Sequence, residues 1–213
     1  MKNCVILLPY IEKYTDEYIR NELSQADYVI CADGGQSLAK RLNIKPDCVI
    51  GDFDSSKVKH ELDCRYIEYP SEKDLTDGEA CLLHAIENEC TNVTFLGGIG
   101  GRLDHMMGAL ALLFIGYNNS VIVTLKDMRN SVRLIDSKAE YTVEKDIYKY
   151  FSLYPALDEI ELEYIKGARY PVSSPTIMPK ASTLCISNEI SDKSAKLKLS
   201  SGLCYLIQSN DAR

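Results

Sequence analysis

A change of hydrophobic period near residue 127 limits this chain to few architectures. Before it, short apolar runs at Cys4–Leu8, Tyr28–Cys31, Cys48–Ile50, Tyr66–Tyr69, Val93–Leu96 and Val121–Thr124 alternate with helical stretches. The helical stretches lie near Asp16–Leu23, Gln36–Leu42, Asp77–Glu89 and Asp104–Ile115. Thr76 and Glu79 form a T-x-x-E capping box that starts the third helix. Alternating β and α with short apolar strands predicts a mostly parallel sheet flanked by helices. After residue 127 the runs Asn130–Ile135, Tyr148–Tyr154, Glu159–Tyr164, Thr183–Ile186, Ala195–Leu199 and Leu203–Gln208 are short, and many alternate apolar with polar residues. Ser, Gly and Pro separate them, as in Pro171–Pro175. The expected fold is α/β over residues 1–127, followed by a small antiparallel β-sandwich over 128–213.

Apolar residues at 46% and charged residues at 26% describe a globular chain. Its net charge of -7 disfavours general nucleic-acid binding, which needs Lys and Arg to neutralise phosphates. None of the eight cysteines forms a C-x-x-C pair, and most lie in apolar runs. Buried free thiols in a reducing compartment are the expectation. The first apolar run is too short for a signal peptide, and no stretch approaches the roughly 20 apolar residues of a membrane span. A cytoplasmic protein is expected.

Chemistry-bearing residues gather after four successive strands. They are Asp33-Gly34-Gly35, Gly51-Asp52-Phe53-Asp54-Ser55, Pro70 to Asp77, and Gly97-Gly98-Ile99-Gly100-Gly101-Arg102-Leu103-Asp104-His105. In an open α/β sheet ligands bind at the carboxyl ends of strands, so parallel strands would bring all four clusters to one crevice. Asp52 and Asp54 stand two apart and share a side in extended chain. Asp77 falls in a first helical turn, where the macrodipole favours an anion. Like charges 4 Å apart repel by about 4 kcal/mol at an effective dielectric of 20. A hard divalent cation removes that repulsion, and an all-oxygen set suits magnesium bound with substrate phosphates. Taken singly, Asp33 and Asp77 read as well as turn or cap residues. The glycines lead straight into a helix and can offer N–H groups to a phosphate. They match neither the P-loop nor the dinucleotide fingerprint. Lys73 and Arg102 add positive charge, and His105 reads equally as a ligand contact or a helix-turn residue. No Ser-His-Asp arrangement and no H-E-x-x-H is present. Acids, glycines and basic residues together point to metal-assisted transfer of a phosphorus group.

These blocks, with Lys73-Asp74-Leu75-Thr76-Asp77 between them, resemble the ordered signature of the thiamine pyrophosphokinases. Lys166-Gly167-Ala168-Arg169-Tyr170-Pro171 and Ile186-Ser187-Asn188-Glu189 resemble that family's later blocks, so the likeness spans nearly the whole chain. The resemblance implies an α/β domain that binds ATP and magnesium, a thiamine-binding β-sandwich, and a homodimer with active sites between subunits. It implies Mg2+ on Asp33, Asp52, Asp54 and Asp77. It implies ATP near Asp33, Gly34, Gly35, Lys73, Asp74, Thr76, Gly98, Gly101, Arg102 and His105, and thiamine near Asp104, Ser187 and Asn188. Two departures stand out. Ala109 occupies a position where many bacterial members carry Asn, and the chain has no Trp, which some members place near thiamine.

The implied reaction is attack by the thiamine hydroxyl on the β-phosphorus of ATP. Asp54, Asp77, Lys73 and Arg102 would be catalytic, and Asp104 would orient or deprotonate the hydroxyl or cap its helix. Three rivals are a pyrophosphokinase for a pterin alcohol, a non-catalytic thiamine or nucleotide sensor, and a metal-dependent nuclease. The first should lack the Ser187-Asn188 pocket, the second has no need of the acids, and the third would need a basic stripe.

Overall fold

The computed structural model describes residues 1–53, 62–70 and 75–211. The chain divides into two compact units, Met1–Asp127 and Met128–Arg213.

The first unit follows the order β1 (Asn3–Leu7), α1 (Asp16–Leu23), β2 (Tyr28–Ala32), α2 (Gly35–Arg41), β3 (Cys48–Gly51), β4 (Arg65–Glu68), α3 (Asp77–Glu87), β5 (Asn92–Leu96), α4 (Leu103–Asn118) and β6 (Ile122–Lys126). Helix starts obey local chemistry. The Thr15 hydroxyl accepts from Tyr18 N–H at 3.1 Å to start α1, and the Thr76 hydroxyl accepts from Glu79 N–H at 3.2 Å to start α3. All six strands are parallel, in the spatial order β6-β5-β1-β2-β3-β4. The buried runs of β1, β2, β3 and β5, with Ile6, Ile30, Ile50 and Phe95 fully enclosed, are what the covered middle of such a sheet requires.

Strand ends are in step. Leu7 of β1 pairs with Leu96 of β5 and Cys31 of β2, Ala32 pairs with Ile50 of β3, and Gly51 pairs with Glu68 of β4. The loops after β1 to β5 therefore leave from one edge. The direction of winding reverses between β1 and β5, which is the switch point where such sheets hold ligands.

The second unit contains β7 (Asn130–Asp136), β8 (Glu140–Glu144), β9 (Tyr150–Pro155), β10 (Glu159–Lys166), β11 (Thr176–Pro179), β12 (Asn188–Glu189), β13 (Ser194–Ser201) and β14 (Leu203–Ser209). Within it β12-β9-β14-β7 form one antiparallel sheet and β11-β10-β13-β8 another. Phe151, Leu153 and Leu206 of the first share a core with Ile160, Leu162, Leu197 and Leu199 of the second. This is the expected sandwich. Three strands, β8, β11 and the two-residue β12, escaped the sequence reading. β8 buries only Val143, and β11 lies next to Pro175 and buries only Met178. The expected strand Thr183–Ile186 is irregular instead. Leu184 and Ile186 are exposed, while Cys185 is buried and its carbonyl accepts from Leu153 N–H at 3.0 Å.

All eight cysteines are free and seven are buried, Cys64 being half-buried. Burial pushes the Cys48 thiol up to about 11 and the Cys204 thiol up to about 12, so both stay protonated and inert at neutral pH. No described helix is long and apolar enough to cross a membrane.

Candidate active site

The acids are brought together by backbone geometry at the ends of β2 and β3. Asp33 N–H donates to the Ile50 carbonyl at 2.8 Å and Tyr69 N–H to the Gly51 carbonyl at 3.0 Å, so pairing continues just past the strands. Asp33 then turns through a left-handed backbone, φ 33°. Phe53 does the same at φ 55°, held by burial and by a tilted contact with the Tyr66 ring at 5.8 Å. Left-handed backbone costs a bulky residue about 1–3 kcal/mol, and such strain concentrates at functional sites. Gly51 sets the spacing. A Cβ there would stand 2.8 Å from Asp33 Cβ and 3.1 Å from Asp33 Cα. Only a bare α-carbon lets Asp33 approach the end of β3. Asp77 arrives as the first residue of α3.

Asp33, Asp52 and Asp77 each offer a carboxylate oxygen, all within 4.8 Å of one another. Asp33 is buried and the other two are half-buried. Three hard oxygen donors this close fit a magnesium-sized ion. Asp54, Lys73 and Asp74 lie outside the described residues.

The glycine-rich turn has a second reason for its composition. Gly97, Gly98, Gly100 and Gly101 all have positive φ. The loop after β1 presses on this turn: Tyr10 carbonyl meets Gly97, Glu12 meets Gly100, and the Tyr10 ring meets Gly101. Gly98 faces Ala109, whose methyl lies 3.0 Å from where a Cβ would stand, and Ala109 is buried in that contact. Gly34 lies beside Pro9, and Gly35 is pressed against the Leu7 carbonyl. The glycines thus close the switch point as well as leaving N–H groups near α4.

Arg102 occupies the N-cap position of α4, and its side chain grips Asp104, with Nη2 to Oδ2 at 2.6 Å and Nε to Oδ1 at 3.1 Å. Asp104 Oδ1 also accepts from His105 N–H at 2.9 Å, so Asp104 does bond a first-turn amide. The Arg102 guanidinium, then this amide, hold the Asp104 carboxyl down at about 2. Such a carboxylate accepts a hydrogen bond and takes a proton poorly. That favours orienting a hydroxyl over deprotonating it.

A cleft of about 970 Å³ joins these parts within the first unit. Asp52, Thr76, Asp77, Gly98, Gly101, Arg102, Asp104 and His105 line it, with Leu8, Leu75, Ala109 and Leu112 as apolar wall. The size suits a drug-sized ligand or larger. Pro9 and Tyr10 line it too. They were missed because neither is an acid or a glycine, and the loop's one acid, Glu12, stands alone in the sequence; position at the switch point is the signal for this loop.

Ser187 and Asn188 lie in the second unit, beside a smaller pocket of about 340 Å³ that Asn188 lines with Tyr170, Pro171 and Leu184. Ser187 has left-handed backbone, φ 59°, and its N–H donates to the Ser152 hydroxyl at 2.9 Å. Asn188 is 2% exposed. Its amide donates to the Tyr170 carbonyl at 2.8 Å and accepts from Tyr170 N–H at 3.0 Å. Asn188 therefore fixes Tyr170, leaving that ring 58% exposed at the pocket.

Comparison with known proteins follows the same lines. The family model described as thiamin pyrophosphokinase, catalytic domain, matches residues 19–125. Thiamine pyrophosphokinase of Bacillus subtilis (strain 168) is 32% identical over 214 residues, covering 96% of this chain and 94% of that one. The crystal structure of thiamine pyrophosphokinase from Bacillus subtilis superposes with a TM-score of 0.86 at 27% identity, covering 99% of this chain and 100% of that one. That of thiamin pyrophosphokinase from Geobacillus thermodenitrificans gives 0.83 at 28% identity, covering 100% and 99%.

Proposed function

The chain belongs to the thiamine pyrophosphokinase family, and from that premise we propose that it transfers the diphosphoryl group of ATP to the hydroxyl of thiamine, giving thiamine diphosphate and AMP. The observation that carries the chemistry is the convergence of Asp33, Asp52 and Asp77 beside a cleft that also holds Arg102. Magnesium, when bound, neutralises phosphate charge and polarises the phosphoryl oxygens. Asp33, Asp52 and Asp77 would hold it, with Asp54 as a further ligand.

The chain's own residues supply the rest. Arg102 places a guanidinium, and the first turn of α4 its N–H groups, on the same side of the cleft, where they would meet phosphate oxygens. Lys73 is assigned to the same charge, and Gly34, Gly35, Asp74, Thr76, Gly98, Gly101 and His105 to the nucleotide's surroundings. Asp104, ionised and fixed by Arg102, would accept a hydrogen bond from the thiamine hydroxyl and aim its oxygen at the β-phosphorus. Apolar walls at Leu8, Leu75 and Leu112 limit water, which would otherwise compete as acceptor. We assign the first unit to ATP and magnesium and the second to thiamine, through Ser187, Asn188 and the Tyr170 that Asn188 displays.

The test is to incubate the protein with ATP, magnesium and thiamine and identify the products by mass. Equal amounts of AMP and thiamine diphosphate are expected. Turnover of a pterin alcohol in place of thiamine would transfer the assignment to the rival pyrophosphokinase.

A homodimer with shared active sites belongs to the same reading, two-fold dimers being the commonest closed assembly. Light scattering should give twice the chain mass of 23.9 kDa at micromolar concentration. A fully active monomer would contradict it. Cytoplasmic placement agrees with eight unpaired cysteines. The net charge of -7 argues against nucleic acid as a partner.

A further inference from the structure

Tyr10 is the one phenyl or phenol ring among the described residues lining the large cleft. It is 50% exposed, although three contacts hold its segment in place. Its hydroxyl donates to the Glu12 carboxylate, and its carbonyl packs on Gly97. Its ring lies on Gly101, where a Cβ would come within 2.9 Å of Cε1 and 3.2 Å of Cδ1. One side of the ring is thus backed by a bare α-carbon, while the ring also borders the cleft.

Its position in the sheet gives this surface a use. Tyr10 follows β1, beside the switch point, and Asp52 follows β3, two strands away. Two inter-strand spacings are about 10 Å. A nucleoside triphosphate whose phosphates lie at the acids reaches about that far with its base. Arg102, next to Gly101, lines the same cleft.

We propose that Tyr10 is the stacking platform for the nucleotide's purine ring, preorganised by Gly101 and Glu12. The proposal rests on the reading of the cleft as the ATP site. Both substrates carry aromatic rings; the switch-point position selects the nucleotide base over thiamine.

The test compares wild type with Tyr10→Ala and Tyr10→Phe in calorimetric binding of AMP and of magnesium pyrophosphate, and in KM for ATP and for thiamine. Loss of base stacking should weaken AMP, and raise the KM for ATP, by about tenfold or more in Tyr10→Ala. Magnesium pyrophosphate affinity and the KM for thiamine should stay unchanged, and Tyr10→Phe, which keeps the ring, should retain AMP affinity. Unchanged AMP binding in Tyr10→Ala overturns the proposal. Parallel weakening of pyrophosphate overturns it too, since it would show Tyr10 to be only a wedge for the glycine turn. A rise confined to the KM for thiamine would assign the ring to the other substrate. If wild type itself binds neither AMP nor ATP, the ATP reading of the cleft fails; if it binds them and Tyr10→Ala binds equally well, only the role of Tyr10 fails.

Discussion

Replacing Asp52 with Asn is expected to lower turnover by about two to three orders of magnitude while leaving the metal-free protein as stable as wild type or slightly more stable. Three carboxylates with oxygens within 4.8 Å repel one another unless a cation lies between them. At 4 Å and an effective dielectric of 20 that repulsion is about 4 kcal/mol per pair. Removing one charge relieves part of it, and Asn keeps the shape. Asp52 is the cleanest choice of the three. Asp33 carries a left-handed turn, and Asp77 opens α3, where its charge serves the helix dipole. A bound metal contributes several kcal/mol of charge stabilisation, and each ~1.4 kcal/mol is tenfold in rate. Magnesium at a hundred times its Kd should stabilise wild type by about 2.7 kcal/mol, an increment the variant should lack. A structural role for Asp52 reverses the pattern: a lower metal-free melting temperature and near-normal turnover of the folded fraction.

Gly51→Ala should cost activity out of proportion to stability. Gly51 does not need glycine for its own backbone, since its φ lies outside the left-handed region. Its constraint is the neighbour, with an added Cβ 2.8 Å from Asp33 Cβ and 3.1 Å from Asp33 Cα. The second contact is backbone and cannot swing aside. Overpacking of this kind costs about 1–3 kcal/mol. For a chain of this size that lowers the melting temperature by about 2–12 °C. Displacing Asp33 from Asp52 by about 1 Å should cost a further hundredfold in turnover. Activity and metal-induced stabilisation should therefore fall together in protein that remains folded at assay temperature. Magnesium dependence identical to wild type, with only stability reduced, would contradict the spacing role.

What was legible in the sequence follows from what is local. The apolar runs of β1, β2, β3 and β5 are near-continuous because both faces of the sheet are covered there, so composition alone locates them. The α3 start was legible because Thr76 and Glu79 act within one turn. The gathering of acids at strand ends could be argued from topology before any distance was known. Features set by contacts between distant segments could not. The reason Gly101 is bare lies at Tyr10, and the reason Gly51 is bare lies at Asp33. Asn188, expected to touch substrate, directs its amide to Tyr170, eighteen residues earlier. β11 buries a single side chain between prolines, too little signal for a period-2 reading. Thr183–Ile186 shows the converse, a strand-like composition whose apolar side chains mostly face outward.

Diphosphoryl transfer is the central claim, and the fate of two labels in ATP tests it most directly. With magnesium, thiamine and ATP labelled separately at the α- and γ-phosphorus, γ-label should appear in thiamine diphosphate and α-label in AMP, in equal molar yield. Thiamine monophosphate carrying the γ-label, with the α-label in ADP, would show transfer of a single phosphoryl group and contradict the account.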